Sequence, residues 1–198
     1  MLALDLFSGT GGATRELRRR GWDVVGVDSD PRHEPDVVAD LAAWSWTGER
    51  PELVWASPPC TEFTRRDLPW TRAKYPGPPP MDLVHAALRI IAETRPRYWV
   101  IENVRGAIKW FRPLLGAPRR TCYPFFLWGE FPELGAVKIQ RRYKSDRSGD
   151  ASGVRRRATV PAALALALAD AVERELRLFG VRLPSDPWRQ TALPLGTP

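Results

Sequence analysis

Cysteine is scarce in this chain: only Cys60 and Cys122 occur in 198 residues. Two thiols cannot build a disulfide framework, and such sparing use suits a reducing cytoplasm. No apolar run approaches the length of a membrane span, so no membrane partner is expected. The opening MLALDLFSG has neither a basic start nor a cleavage site, so a secretory leader is not expected. There is no internal repeat, and no metal site is expected. What is present suits one domain, or one domain with a small appendage: apolar residues make up 43% of the chain, enough for a packed core. The net charge is +7, which favours a polyanionic partner, nucleic acid first, although a GC-rich genome also enriches surfaces in arginine.

The order of apolar runs predicts an α/β fold. ALDLF (3–7) ends in Ser8-Gly9-Thr10-Gly11-Gly12, and a helical stretch, ATRELRRR, follows and stops at Gly21. Further strands are expected at 22–30, 37–40, 52–57 and 98–104, with a helix over 81–95. Strands alternating with helices imply a Rossmann-like, mostly parallel sheet with helices on both faces. Residues 61–80, rich in proline, arginine and aromatics, read as a long loop. After residue 120 the runs TCYPFFLWGEF and AVKIQRRYK read as shorter strands, and the polar stretch 145–154 as a loop. Pro161 suits the first turn of a long final helix over 162–180. Residues 1–180 are expected to form the domain, with a minimal or absent second domain, and 181–198 a loosely held tail.

Three stretches carry chemistry. DLFSGTGG follows a strand and opens a helix, where glycines let backbone approach a ligand and the helix N-terminus favours an anionic group. Asp28 ends the next strand, where an acidic side chain can hold ribose hydroxyls, and Asp40, after the third strand, could reach an adenine amino group. The set suits an adenosine cofactor; an ordinary glycine turn or an NAD site are the alternatives. Cys60 follows Pro58-Pro59 at the carboxyl end of the fourth strand, the edge where open α/β sheets bind ligands. Arg65, Arg66, Arg72 and Lys74 follow it and would favour the thiolate if they fold near it. Glu102 ends the fifth strand, so it is expected to emerge beside Cys60 as the carboxyl partner of a nucleophile.

In DLFSGTGG, SPPC (57–60), ENV (102–104) and IQRRYK (139–144), in this order and spacing, the chain resembles the DNA cytosine-5 methyltransferase family over roughly residues 1–144. The resemblance implies a class I S-adenosylmethionine-dependent methyltransferase fold and that cofactor. It places the cofactor along Phe7, Ser8, Gly9, Gly11, Gly12 and Pro59, with Asp28 on the ribose and Asp40 and Leu41 near the adenine. It implies Cys60 as the nucleophile on carbon 6 of a flipped-out cytosine, Glu102 as the donor to ring nitrogen N3, and Arg142 as a brace for the base or the loop. Arg65, Arg66, Arg72, Lys74 and Arg141 would contact nucleic acid. Trp70 and Tyr75 could stack on an unpaired base.

The chain departs from the family in three places. The second arginine of its arginine motif is Lys144, which lacks the planar fork, unless Arg141 takes that part. Only residues 145–154 stand where the family usually carries a target-recognition domain, too few to read major-groove bases. The Gly-Asn pair expected before the last helix is replaced by Arg157-Ala158. Low or short sequence specificity is therefore expected. The alternatives are a partner chain supplying recognition, a substrate with an already exposed base such as single-stranded DNA, RNA or a mononucleotide, and a non-catalytic subunit, against which the presence of both Cys60 and Glu102 argues. An arginine near the sulfonium would also admit a carboxylated relative of the cofactor.

Overall fold

Strand β1 (Leu2–Leu6) is the axis of the molecule, with β2 (Asp23–Asp28) paired on one side and β4 (Leu53–Ala56) on the other, both parallel to it. The chain is a computed structural model that describes residues 1–139 and 159–178. β3 (Val37–Val38) and β5 (Tyr98–Val104) extend the parallel region outward. β6 (Arg120–Cys122) and β7 (Phe125–Glu130) close the far side antiparallel, giving one sheet in the order β3-β2-β1-β4-β5-β7-β6. The direction of winding switches between β1 and β4, which opens a crevice at the carboxyl ends of the strands.

β4 is buried along its whole length, as a strand covered on both faces must be. Two apolar clusters cover those faces. On one, α1 (Gly12–Arg19) and α5 (Ala162–Leu178) bury Leu17, Trp22, Leu164 and Leu168 against Trp55. On the other, α2 (Thr61–Asp67), α3 (Asp82–Thr94) and α4 (Ile108–Leu115) bury Phe63, Val84, Ile90, Ile91 and Phe111 against Leu4, Leu6 and Trp128. The expected Rossmann-like α/β architecture is therefore present. Cys122 belongs to the first cluster as an apolar filler. Among the described residues, no helix is long and apolar enough to cross a membrane.

The segment 61–80 differs from the expected loop: it opens with helix α2 and later makes a 3-10 turn over Arg72–Lys74. The reason is local. Glu62 sits in the first turn, and Arg65 and Arg66, three and four residues on, both pair with it. The helix ends before Pro69. Helix α4 has no counterpart in the sequence reading, and residues 136–139 form no strand. Val137 and Ile139 instead pack, half-buried, on the first cluster. The expectations for 140–158 and for the tail lie outside the described residues.

Two glycines mark where elements must approach closely. A Cβ on Gly12 would stand 2.7 Å from the Val160 carbonyl oxygen, so the turn after β1 packs directly on the entry to α5. Thr10 and Thr159 join the same two segments through their hydroxyls, 2.9 Å apart. A Cβ on Gly106 would stand 2.5 Å from the Phe63 carbonyl oxygen and 2.9 Å from Asp67 Cβ, so α2 rests on bare backbone beyond β5. Gly106→Ala is therefore expected to push α2 away, at about 1–3 kcal/mol. A thermal melt reads that loss; an unchanged melting temperature would show that α2 absorbs the methyl without shifting.

Candidate active site

The register of β4 and β5 pairs Ala56 with Ile101, so Ser57, the first residue past β4, lies beside Glu102, which stays in the sheet opposite Leu127 of β7. Ser57 and Glu102 are hydrogen-bonded to each other, and Trp55 Nε1 donates to Ser57 Oγ at 2.9 Å. The chain then runs through Pro58 and Pro59 to Cys60, whose carbonyl accepts from Thr64 as the first turn of α2 begins. Buried Asn103 fixes this path: its Nδ2 donates to the Pro58 carbonyl at 2.9 Å, and its Oδ1 accepts from Val104 N at 2.9 Å. Arg105 adds a brace to Asp67 at 3.0 Å, at the far end of α2. A strand end, two prolines, an amide and an ion pair thus hold the thiol near the Glu102 carboxyl.

Electrostatics set both groups to their neutral forms. Burial pushes Glu102 up to about 7, against the Ser57 hydrogen bond. Burial first, and then the negative charge of Glu102, push the half-buried Cys60 thiol up to about 11. This corrects the expectation that the following basic residues favour the thiolate. Arg65 and Arg66 are committed to Glu62 and lie over the Tyr75 ring, at 5.2 and 5.8 Å from its centre. Tyr75 is thereby covered on a face, whereas Trp70 is 72% exposed. Arg72 and Lys74 are exposed.

Iodoacetamide should therefore label Cys60 slowly at pH 7 and faster as the pH approaches 11. Glu102→Gln should accelerate labelling near pH 9, because it removes the charge that opposes the thiolate. An equal rate in both proteins at that pH would mean that Glu102 does not act on the thiol.

The turn after β1 lies at the other side of the switch point. Phe7, Gly9 and Gly11 all have positive φ, at 59°, 52° and 70°. For Phe7 this is a strained backbone of the kind that clusters at functional sites. Asp28 Oδ2 accepts from Gly9 N at 2.8 Å, and Oδ1 accepts from Asp30 N at 2.8 Å with His33 Nδ1 3.3 Å away. Ser8 Oγ is buried with no hydrogen-bond partner among the described residues. Asp40 Oδ1 accepts from Ala42 N at 3.0 Å, and Leu41 is buried. Pro59 is exposed. Arg141, Arg142 and Lys144 lie outside the described residues.

Sequence reasoning missed three supporting residues. Buried Asp5, inside β1, accepts from Thr14 N at 3.0 Å and Thr14 Oγ1 at 2.6 Å, capping α1 from the sheet. Desolvation raises its carboxyl to about 6, and the Thr14 bonds oppose that rise. A carboxylate in the apolar run LALDL was its only signal. Arg89, on α3, donates to the carbonyls of Leu41 and Trp44 at 3.0 and 2.7 Å and to Ser45 Oγ at 3.0 Å, tying the turn after β3. Gly106 carried no signal, because the need for it arises only from the approach of α2.

A Rossmann-like sheet thus carries a strained glycine turn after β1 and, past the switch point, a thiol near a carboxyl beyond β4 and toward the end of β5. Among the described residues, no group of His, Cys, Asp or Glu could hold a metal ion. No family model matches the chain. It is 32% identical over 120 residues to a probable DNA (cytosine-5)-methyltransferase of Frog virus 3 (isolate Goorha), covering 52% of this chain and 53% of that protein. It is 30% identical over 128 residues to the type II methyltransferase M.XorII of Xanthomonas oryzae pv. oryzae, covering 53% of this chain and 28% of that protein. The chain thus spans about half, or less, of the length of these curated relatives. Among solved structures, the Schizosaccharomyces pombe Dnmt2 methyltransferase aligns with a TM-score of 0.40 at 18% identity, over 77% of this chain and 57% of that one. The resemblance to DNA cytosine-5 methyltransferases is thus borne out by the curated relatives.

Proposed function

We propose that residues 1–180 form the catalytic domain of a DNA cytosine-5 methyltransferase. One observation carries the reading: a thiol and a carboxyl that stays protonated to about pH 7 stand together at the carboxyl ends of adjacent parallel strands. A nucleophile next to a proton donor is what addition to a cytosine ring requires.

The residues fit S-adenosylmethionine. Phe7, Ser8, Gly9, Gly11 and Gly12 form the cradle, and Ser8 Oγ is a buried polar atom awaiting a partner. Asp28 accepts from Gly9, Asp30 and His33, and a carboxylate has roughly four lone-pair sites, so capacity remains for a ribose hydroxyl. Asp40 and Leu41 flank the adenine position, and Pro59 borders the cofactor on the Cys60 side. When bound, the cofactor supplies an electrophilic methyl group carried on a sulfonium.

This chain's own residues do the rest. The target cytosine leaves the duplex and enters the pocket. Cys60 sulfur bonds to carbon 6 as its proton passes to water, and the Glu102 proton moves to N3. The C5–C6 π electrons then reside on carbon 5, the atom that would take the methyl group as its bond to the sulfonium sulfur breaks and a neutral thioether is left. Water removes the carbon 5 proton, the bond from Cys60 to carbon 6 breaks, the ring double bond returns and the departing Cys60 sulfur takes back a proton from water. Glu102 recovers its proton from N3. By the family resemblance, Arg142 would brace the base or the catalytic loop and Lys144 would donate to the cytosine O2; both lie outside the described residues. Arg72, Lys74 and Arg141 supply cations for the backbone phosphates, a contact without sequence information, whereas Arg65 and Arg66 are held by Glu62 and Tyr75. With only residues 145–154 between Lys144 and Arg155, a short sequence context is expected.

The test offers labelled S-adenosylmethionine to duplex DNA, single-stranded DNA, tRNA and dCMP, and identifies the product nucleoside by mass. Label in 5-methylcytosine of duplex DNA is expected. Label in tRNA or dCMP alone would move the substrate, and no label with cofactor bound would remove the catalytic reading.

A further inference from the structure

Between Glu102 and Glu130 the sequence has no acidic residue, yet it carries Arg105, Lys109, Arg112, Arg119 and Arg120. The last two turn away: Arg119 faces Glu130, Glu133 and the Phe131 ring, and Arg120 donates to the Gly135 carbonyl. The first three do not. Arg105 opens the 3-10 turn that leads into α4, and Lys109 and Arg112 follow at spacings of four and three, so one helical face carries all three. All three are exposed, while Phe111 is fully buried on the opposite face. At the end of α1, by contrast, Arg18, Arg19 and, just past the helix, Arg20 each pair with a carboxylate. Among the described residues, Lys109 and Arg112 have no carboxylate partner, and Lys109 instead lies 4.4 Å above the Trp110 ring. The same holds for Arg72 and Lys74, beyond α2.

Position makes this face significant. Arg105 stands two residues after Asn103, which fixes the path to Cys60, and it pairs with Asp67 at the end of α2. The basic face therefore starts at the edge where the thiol emerges and runs away from it along α4. Arg105 to Arg112 spans about 10 Å of helix axis. One strand of B-form duplex presents about three phosphates over that length.

We propose that Arg105, Lys109 and Arg112 form a phosphate-binding track for duplex DNA flanking the target base. This rests on the reading above and adds to it a surface outside the catalytic segment. The track supplies affinity and register without reading bases, which a chain with so short a segment between Lys144 and Arg155 needs from elsewhere in its fold. Asp67 holds Arg105 in place when DNA is absent, and Lys109 and Arg112 make the free contacts.

The experiment measures duplex binding against salt for the native chain, K109A/R112A, K109R/R112K and, as a control on α1, R19A. Each lost phosphate contact lowers the slope of log K against log salt by about 0.9. The alanine pair should thus flatten the slope by about 1.8 and raise the KM for duplex. The charge-preserving pair should keep the native slope, as should R19A. Cofactor binding, measured by calorimetry, reports that each variant is folded. A native slope in K109A/R112A, with duplex DNA still methylated, overturns the track and leaves the proposed function standing. A slope change on RNA but not on duplex DNA overturns it too. Failure of the native chain to methylate any nucleic acid removes the reading and the track together.

Discussion

Cys60→Ser is expected to abolish methyl transfer, by at least about 10⁴-fold, the scale on which loss of an enzyme nucleophile acts. A serine hydroxyl at the same point is a far weaker nucleophile than even a largely protonated thiol. Cofactor binding should change little, because the turn after β1 and the Asp28 carboxylate are built from other strands. Single-turnover methyl transfer and calorimetry of the cofactor, measured on one preparation, check the two halves of this statement. Turnover within tenfold of native would remove Cys60 as the nucleophile. Cofactor binding lost along with activity would instead indicate that Cys60 supports the fold.

Glu102→Gln is expected to slow methyl transfer by about 10²–10⁴-fold, since an amide cannot deliver a proton to N3. The pH dependence sharpens the test. Glu102 holds its proton up to about pH 7, so the native rate should gain a falling limb as the pH rises through 7. The glutamine variant should lack that limb. Stability changes in the same direction. A carboxyl raised from 4.5 to about 7 binds its proton more tightly in the folded chain than in the unfolded one. Its favourable contribution is complete below pH 4.5 and is lost as the pH rises to about 7. The melting temperature of the native chain should therefore fall relative to that of Glu102→Gln across this window. Asp5, raised in the same sense to about 6, remains in both proteins and cancels in the comparison. Parallel melting curves would mean that Glu102 is not protonated in the fold.

Much of the site was legible before the fold. Two prolines ahead of a cysteine past a strand end and a Glu-Asn-Val run closing the next strand are local patterns, and the glycine turn shows itself by composition. The alternation of apolar runs foretold the parallel sheet. Helix α2 was not legible, because the prolines of 69–80 obscured the Glu62–Arg65–Arg66 pattern that nucleates it. Nor was the state of Cys60. The arginines that follow it in sequence suggested a stabilised thiolate, yet they close on Glu62 and Tyr75, and the thiol faces a buried carboxyl instead. Proximity along the chain is a poor guide to charge when an intervening helix turns the side chains elsewhere.

The sequence by itself determined the class of fold and singled out the cysteine and the glutamate that the fold brings together, because periodicity and local backbone chemistry act over a few residues. Only the tertiary structure decided which neighbours those groups meet. Asn103 on the Pro58 carbonyl, Arg89 on the turn after β3, Gly106 beneath α2 and the basic face of α4 beside the Cys60 edge all join distant segments. Burial did the same for protonation: it keeps Glu102 neutral to about pH 7 and Cys60 a thiol to about 11, since the cost of a charge depends on the whole surrounding core.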